Sequence, residues 1–432
     1  MILKDITDKI NIMINGNSYI DWSAAHMVER ELYMKQIRPF IGQDLVKILT
    51  GIRRCGKSMM LELIKQELQV QGISSKQMLA YNFESMSNMH LCTAEKLHAE
   101  ILQHGQDLEG KVYLCFDEIQ EVNQREKAVN SFRVERDCDI YITGSNAKLL
   151  SGELATYLAG RYVEFVIYPF SFAEFMVMYH EQIPAAPAAD CFRQYLKLGG
   201  MPYLGMLHYD GDASQRYLQD LYDSVELKDI VKRNKIRDVD LLERIMAYVT
   251  ANIGNTFSAT TISKYLKNEG RSVAPETVLN YLRAGVDAFL FYQVKRQDLV
   301  GKKILSVQEK YYLADHGIRE AVVGGNMRDI NQILENIVYL EILRRGYNVT
   351  VGKAGTREVD FVAVRQDQKI YVQVTYLLAS EETIEREFGV YHDIRDNYPK
   401  YVVSMDEFDM SRDGIQHKNI RDFLLAGQWG LA

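Results

Sequence analysis

The chain has 432 residues, of which 47 % are hydrophobic and 25 % charged, and its formal net charge is −7. Two to four folded domains fit that length, and the acidic balance argues against a uniformly basic nucleic-acid coat, although it leaves room for a local basic face. The five cysteines (Cys55, Cys92, Cys115, Cys138 and Cys191) are scattered without a C-x-x-C pair. They read as reduced thiols of a cytoplasmic protein, not as disulfides or a zinc site. Residues 1–9 lack the apolar core of a signal peptide, and no apolar run approaches the roughly 20 residues of a membrane span, so no membrane partner is expected.

The first strong pattern lies at residues 44–68. Asp44 to Thr50 carries an apolar, strand-like run into Gly51-Ile-Arg-Arg-Cys-Gly-Lys-Ser58, and Met59 to Leu68 follows with helical spacing of apolar residues. The loop is a complete G-x-x-x-x-G-K-[ST] phosphate-binding pattern, placed at a helix N-terminus where backbone N–H groups and the helix dipole favour an anion. Gly51, Ile52, Arg53, Arg54, Cys55, Gly56, Lys57, Ser58 and Met59 are therefore the candidate contacts to ATP or ADP. Lys57 would reach the terminal phosphates, and the Ser58 hydroxyl would bind Mg2+.

Further along, Gln77–Phe83 reads as a strand and Ala94–Leu102 as a helix. Lys111–Phe116 is a buried strand ending in Asp117 and Glu118. Asp117 would join the magnesium shell, and Glu118 would orient the attacking water. Asp139–Gly144 is another strand; at its end Ser145 or Asn146 would contact the γ-phosphate, or would cap a helix starting at Ala147. Tyr162–Ile167 supplies one more strand. Strands alternating with helices predict an α/β parallel sheet of the P-loop NTPase type. The patch Pro184-Ala-Ala-Pro-Ala-Ala189 reads as a linker or loop.

These segments, with Leu158-Ala-Gly-Arg161, Tyr168-Pro-Phe-Ser-Phe-Ala-Glu-Phe175, Lys197-Leu-Gly-Gly-Met-Pro202, Val225-Glu-Leu-Lys-Asp-Ile-Val231 and Glu358-Val-Asp-Phe-Val362, recur in this order in a known group. The chain resembles the AAA-type P-loop ATPases of bacteria and archaea that are related to the archaeal ATPase family. The resemblance implies an ATPase core over residues 1–175, a helical lid and winged helix over 190–318, and an α/β restriction-endonuclease-like domain, of PD-(D/E)xK type, over 325–432. Within it, Arg161 either senses the γ-phosphate, acts in trans on a neighbouring subunit of an oligomer, or is a plain surface residue.

The middle of the chain shows its own pattern. Ala259–Leu266 is amphipathic, Lys267–Ser272 is a turn, and Pro275–Leu282 is a second helix with Pro in its first turn. Phe289–Arg296 and Lys303–Val307 then read as strands around a wing. Between 260 and 303 the basic positions 264, 267, 271, 283, 295, 296, 302 and 303 outnumber the acidic ones by four. That local excess is the footprint of a module contacting double-stranded DNA, or else a solvated face. In the C-terminal part, the nuclease-like resemblance maps metal-binding positions onto Glu335 and Asp360. Its E-x-K string reads Gln373-Val-Thr375, so an amide and a hydroxyl replace the expected Glu and Lys. A degenerate second Mg2+ site at Glu335, Asp360 and Gln373, without cleavage, is the expectation. The whole predicts an ATPase that hydrolyses ATP to ADP and couples nucleotide state to domain rearrangement on or near DNA. A nucleotide-dependent switch recruiting a protein, or an ATP-regulated nuclease, are the alternatives.

Overall fold

The computed structural model describes residues 27–105, 108–147, 157–158, 160–299, 303–325 and 329–430; the side chains at 257 and 303–308 lie outside the description. Five parallel strands form the first sheet: β1 Val46–Thr50, β2 Met78–Asn82, β3 Val112–Asp117, β4 Cys138–Gly144 and β5 Tyr162–Val166, in the order β2-β3-β4-β1-β5. β1, β3 and β4 are buried at every position, as their unbroken apolar runs require of strands covered on both faces. Alternate residues split between two cores. Leu49, Cys115 and Tyr141 pack with α1 (Glu31–Ile37) and α2 (Lys57–Val70). Ile48, Leu114, Phe116 and Ile142 pack with α3 (Ala94–Gly105) and α4 (Arg125–Glu135). Parallel register aligns Thr50 with Gly144 and Val166, and Asn82 with Asp117, so the ends of all five strands share one edge.

A helical lid follows: α5 Phe172–Gln182, α6 Ala188–Leu198, α7 Gly211–Ser224, a π-helix Val225–Lys232 continuous with α7, and α8 Val239–Ala251. Residue 175, the expected end of the ATPase unit, falls inside α5. The Pro/Ala patch at 184–189, expected as a linker or loop, is a loop at a tight corner that runs into the first turn of α6, with Phe172 of α5 edge-on against Phe192 of α6 at 5.1 Å.

The expected helix pair is present as α9 Ala259–Asn268 and α10 Pro275–Asp287, followed by the antiparallel hairpin β7 Phe291–Asp298 and β8 Lys303–Leu313, with β6 Thr256–Phe257 along β8. This hairpin does not stand alone. β7 pairs in parallel with β9 (Asn348–Ala354), and the sheet continues through β10 Arg357–Arg365, β11 Gln368–Val374, β12 Lys400–Ser404 and β13 Gln416–Asn419. One eight-stranded mixed sheet thus crosses the expected boundary between 318 and 325. Between the hairpin and β9, α11 (His316–Val323) turns back onto the lid, where His316 Nε2 lies 2.6 Å from the Tyr195 carbonyl oxygen. The buried α12 (Ile330–Arg344) then reaches the ATPase unit through an Arg344 hydrogen bond to the Pro169 carbonyl, 3.0 Å. Two short helices, α13 (Glu381–Gly389) and α14 (Ile420–Leu425), complete the C-terminal unit.

Candidate functional site

The loop leaving β1 owes its shape to two glycines. A Cβ on Gly51 would lie 2.2 Å from the Ile167 carbonyl oxygen, so no side chain fits where the loop passes the exit of β5. Gly56, at φ +103°, begins α2 with no side-chain cap, which leaves the first-turn amides available to an anion. Lys57 Nζ donates to the carbonyls of Gly51 and Ile52, both at 3.1 Å, and lies 3.8 Å from Glu118 Oε1.

Asp117 is gripped from one helix and two strands. Its Oδ2 accepts from Ser58 Oγ at 2.7 Å and Asn82 Nδ2 at 3.0 Å, and its Oδ1 accepts from Thr143 Oγ1 at 2.5 Å. Burial raises the Asp117 carboxyl above the usual range, while the Thr143 and Ser58 hydroxyls pull it back. A hydroxyl and a carboxylate side by side are hard oxygen donors of the kind Mg2+ takes. Glu118 has a left-handed backbone, φ +55°, and its N–H donates to Thr143 Oγ1 at 2.8 Å. Such a conformation is uncommon in a residue with a side chain, and here it aims the carboxylate at the loop, where the Gln120 amide also holds it.

A cavity of about 460 Å³ lies over this edge. Its polar side is formed by Arg53, Arg54, Lys57, Ser58, Asp117 and Glu118. Val28, Met59, Phe170, Met178, Pro202 and Tyr203 contribute the apolar side. Two further loop residues point elsewhere: Ile52 and Cys55 are fully buried in the core, and burial pushes the Cys55 thiol up.

The lid meets the loop through ions. Arg53 Nε bonds Asp229 Oδ2 of the π-helix at 3.2 Å, and Arg53 Nη1 bonds Glu84 at 3.0 Å. Arg233 binds the other Asp229 oxygen at 3.1 Å and donates to Ser145 Oγ at 3.3 Å. Ser145 and Asn146 are buried at the β4 exit, with Ser145 facing the lid; the helix expected from Ala147 lies outside the described residues. Beneath the loop, the buried Arg30 guanidinium pairs with Glu174 through two bonds at 3.0 and 3.2 Å and donates to the carbonyls of Cys55 (3.1 Å) and Tyr168 (2.7 Å).

Sequence reasoning assigned no role to Arg30, Asn82, Thr143, Glu174, Asp229 or Arg233. Thr143, Glu174 and Asp229 sit inside recurring strings, Ile142-Thr-Gly-Ser145, Tyr168–Phe175 and Val225–Val231, and that was the available signal. Arg30 carried none.

Arg161 is the first correction. It is exposed and precedes β5, and its carbonyl accepts from Val46 N–H at the start of β1. It therefore stands at the sheet edge opposite the loop, roughly 15 Å away along a five-residue strand, and cannot sense a phosphate in its own subunit.

The second correction concerns Glu335, Asp360 and Gln373. Glu335 and Asp360 do converge, but on an ammonium group. Lys310 Nζ lies 3.0 Å from Glu358 Oε1, 3.4 Å from Glu335 Oε2 and 3.7 Å from Asp360 Oδ1. Gln373 Oε1 accepts the Asp360 N–H at 3.1 Å and so does not enter the cluster as a ligand. Burial works against the Lys310 charge, but Glu335, Asp360 and Glu358 outweigh it and hold the ammonium protonated above its usual range. Burial also raises the carboxyls of Glu335 and Asp360. Among the described residues no group of three metal-ligating side chains is arranged to hold an ion.

The basic face of the middle unit is also smaller than its composition suggested. Arg271 is tied to Asp238 (2.8 Å) and Asp240, and Arg296 to Glu358 (2.7 Å). Lys264, Lys267, Arg283 and Lys295 are exposed; Lys302 and the Lys303 side chain lie outside the described residues.

Fold and site define an AAA-type P-loop ATPase domain, and residues 43–176 match a family model described as an AAA domain. Residues 189–329 match a second model, a domain of unknown function. An uncharacterized protein of Haemophilus influenzae is 37 % identical over 400 residues, covering 92 % of this chain and 99 % of the relative, and the chain belongs to the same family. An uncharacterized protein of Methanocaldococcus jannaschii is 27 % identical over 379 residues, 85 % of this chain and 81 % of that one. Among solved structures, a Walker-type ATPase of Pyrococcus abyssi shares the fold, with a TM-score of 0.50 at 15 % identity over 68 % of this chain and 96 % of the other. No helix among the described residues is long and apolar enough to cross a membrane.

Proposed function

We propose that the protein binds ATP with Mg2+ between the loop Gly51–Ser58 and the helical lid and hydrolyses it to ADP. The convergence of Lys57, Ser58, Asp117 and Glu118 on one cavity carries this reading. Bound there, Mg2+ supplies charge neutralisation between the phosphates. The chain's own groups do the rest. First-turn amides of α2 and Lys57 hold the phosphates, Ser58 and Asp117 hold the ion, and Glu118 orients and polarises the water. Ser145 and Arg233, hydrogen-bonded to each other, would read the γ-phosphate from the lid side. Glu118→Gln should keep nucleotide affinity while cutting turnover by about a hundredfold or more, and Lys57→Ala should abolish binding. Turnover measured beside binding of a fluorescent nucleotide separates the two; an unchanged rate in Glu118→Gln removes its assigned role.

The ion pairs from Arg53 and Arg233 to Asp229 favour a switch: phosphate arriving at the loop competes with Asp229 for both arginines and so changes how the lid is held. DNA is the partner we assign to the helix pair α9–α10 and the adjoining strand β7, through Lys264, Lys267 and Arg283 of the helices and Lys295 of the strand. DNA-stimulated, salt-sensitive turnover supports it, and DNA-indifferent turnover favours recruitment of a protein. The C-terminal unit acts in this scheme as a non-cleaving relative of the nuclease fold. Arg161, exposed on the far edge, is either a contact to a neighbouring subunit or a plain surface residue.

A further inference from the structure

The carboxylate cluster of the C-terminal unit is fully built, and its cation belongs to the chain. Three carboxylates from two elements, Glu335 of α12 and Glu358 and Asp360 of β10, surround one ammonium from β8 at 3.0–3.7 Å. The Lys310 side chain is 6 % exposed, so this is no surface pairing. The Tyr312 hydroxyl donates to Glu335 Oε2 at 2.9 Å, and Arg296 of β7 takes the second oxygen of Glu358 at 2.7 Å. Two fixed positive charges therefore face three carboxylates, close to what one divalent ion would supply.

Two further oxygens of the expected ligand set, Gln373 Oε1 and Asp360 Oδ2, are engaged by backbone N–H groups. A bulge in β10 between Val359 and Val362 releases the Asp360 N–H from the ladder, and the Gln373 amide oxygen takes it up. Asp360 Oδ2 accepts the Val374 N–H at 2.9 Å. A metal would need carboxylate oxygens at about 2.0–2.2 Å, a position that the ammonium blocks by volume and by charge.

We propose that Lys310 is the resident cation of this cluster, replacing the divalent metal that the nuclease-like resemblance implies, and that it locks the β7–β8 hairpin onto the C-terminal sheet. Removing Lys310 converts the cluster into a divalent-metal site. The inference rests on the cluster alone and not on the ATPase reading, because its test uses nucleotide-free protein.

The test is Mn2+ binding to the full-length chain, followed by the paramagnetic signal of free Mn2+ and by the melting temperature. The variants are wild type, Lys310→Met, Lys310→Ala and each of these combined with Asp360→Asn. Wild type and Asp360→Asn should bind Mn2+ alike, which assigns any weak binding to the phosphate loop. Lys310→Met should melt lower without metal, bind Mn2+ about tenfold or more tightly than wild type, and recover its melting temperature with the ion. Adding Asp360→Asn should cancel both gains. Methionine keeps the aliphatic stem, so it carries the test where the alanine variant does not fold. Mn2+ binding by wild type that Asp360→Asn abolishes would overturn the proposal, as would a Lys310 variant indifferent to Mn2+.

Discussion

Glu226 occupies the buried side of the π-helix, 5 % exposed, and its Oε1 makes no hydrogen bond. Burial raises this carboxyl to about 7, and the nearby Glu243 and Asp223 add to the shift. Since its pKa is higher folded than unfolded, the favourable contribution belongs to the protonated acid. It is fully present below about pH 4.5 and is lost as pH rises through about 7. Glu226→Gln keeps the shape and removes the charge. It should stabilise the chain at pH 8 by on the order of 1–2 kcal/mol and do nothing at pH 4.5. Denaturant midpoints at the two pH values decide it: a gain equal at both means that packing, not ionisation, changed. Asp117 shows the opposite arrangement, a buried carboxylate satisfied by three donors, and it gains a counter-charge only with a cation.

Among the elements, the loop and α5 are joined by one buried strut. Arg30 reads the carbonyls of Cys55 and Tyr168 while Glu174 answers its charge, and Glu174 also closes the capping box of α5 with Ser171. Glu174→Ala leaves a buried guanidinium without its counter-ion and should cost about 3–5 kcal/mol, with nucleotide affinity falling because the Cys55 carbonyl loses its anchor. Thermal unfolding and nucleotide titration of this variant test both; lost stability with unchanged affinity would separate the strut from the loop. The strut also shows which parts of the site the sequence could reveal. Lys57, Ser58, Asp117 and Glu118 belong to short strings at strand ends, with the spacing that binding a phosphate and its ion would require. Arg30 and Glu174 are 144 residues apart, and Arg53 and Asp229 are 176 apart, so no local pattern couples them. The glycines of Lys197–Pro202 were visible only as a string. In the fold, Gly200 N–H bonds Asp315 at 2.7 Å, and a Cβ on Gly200 would come within 2.3 Å of the Phe170 carbonyl oxygen. That string is where ATPase, lid and the turn after the hairpin close on one another.

Across the whole molecule, separate modules give way to continuous structure. The hairpin read as a wing is paired to β9, and α11 behind it is docked on the lid, so a displacement of the lid is passed to the eight-stranded sheet through packed elements. Pairing across the expected limit at 318–325 was unreadable for the same reason: a turn marks a boundary in sequence, whereas the β7–β9 ladder joins residues some fifty positions apart. Asp229 is the point where the lid meets the phosphate-binding loop. It holds Arg53 of the loop and Arg233 of the lid, and neither arginine can meet a phosphate fully while that carboxylate does. Asp229→Asn should therefore lower the melting temperature of the nucleotide-free chain, since two buried pairings are weakened, and should tighten nucleotide binding several-fold, since two guanidinium groups are left for the phosphates. The measurable consequence is a larger thermal shift on adding a non-hydrolysable ATP analogue than wild type shows. Equal destabilisation with and without the analogue would mean that Asp229 braces the lid but does not compete with phosphate. The switch would then have to run through Ser145 and Arg233 alone.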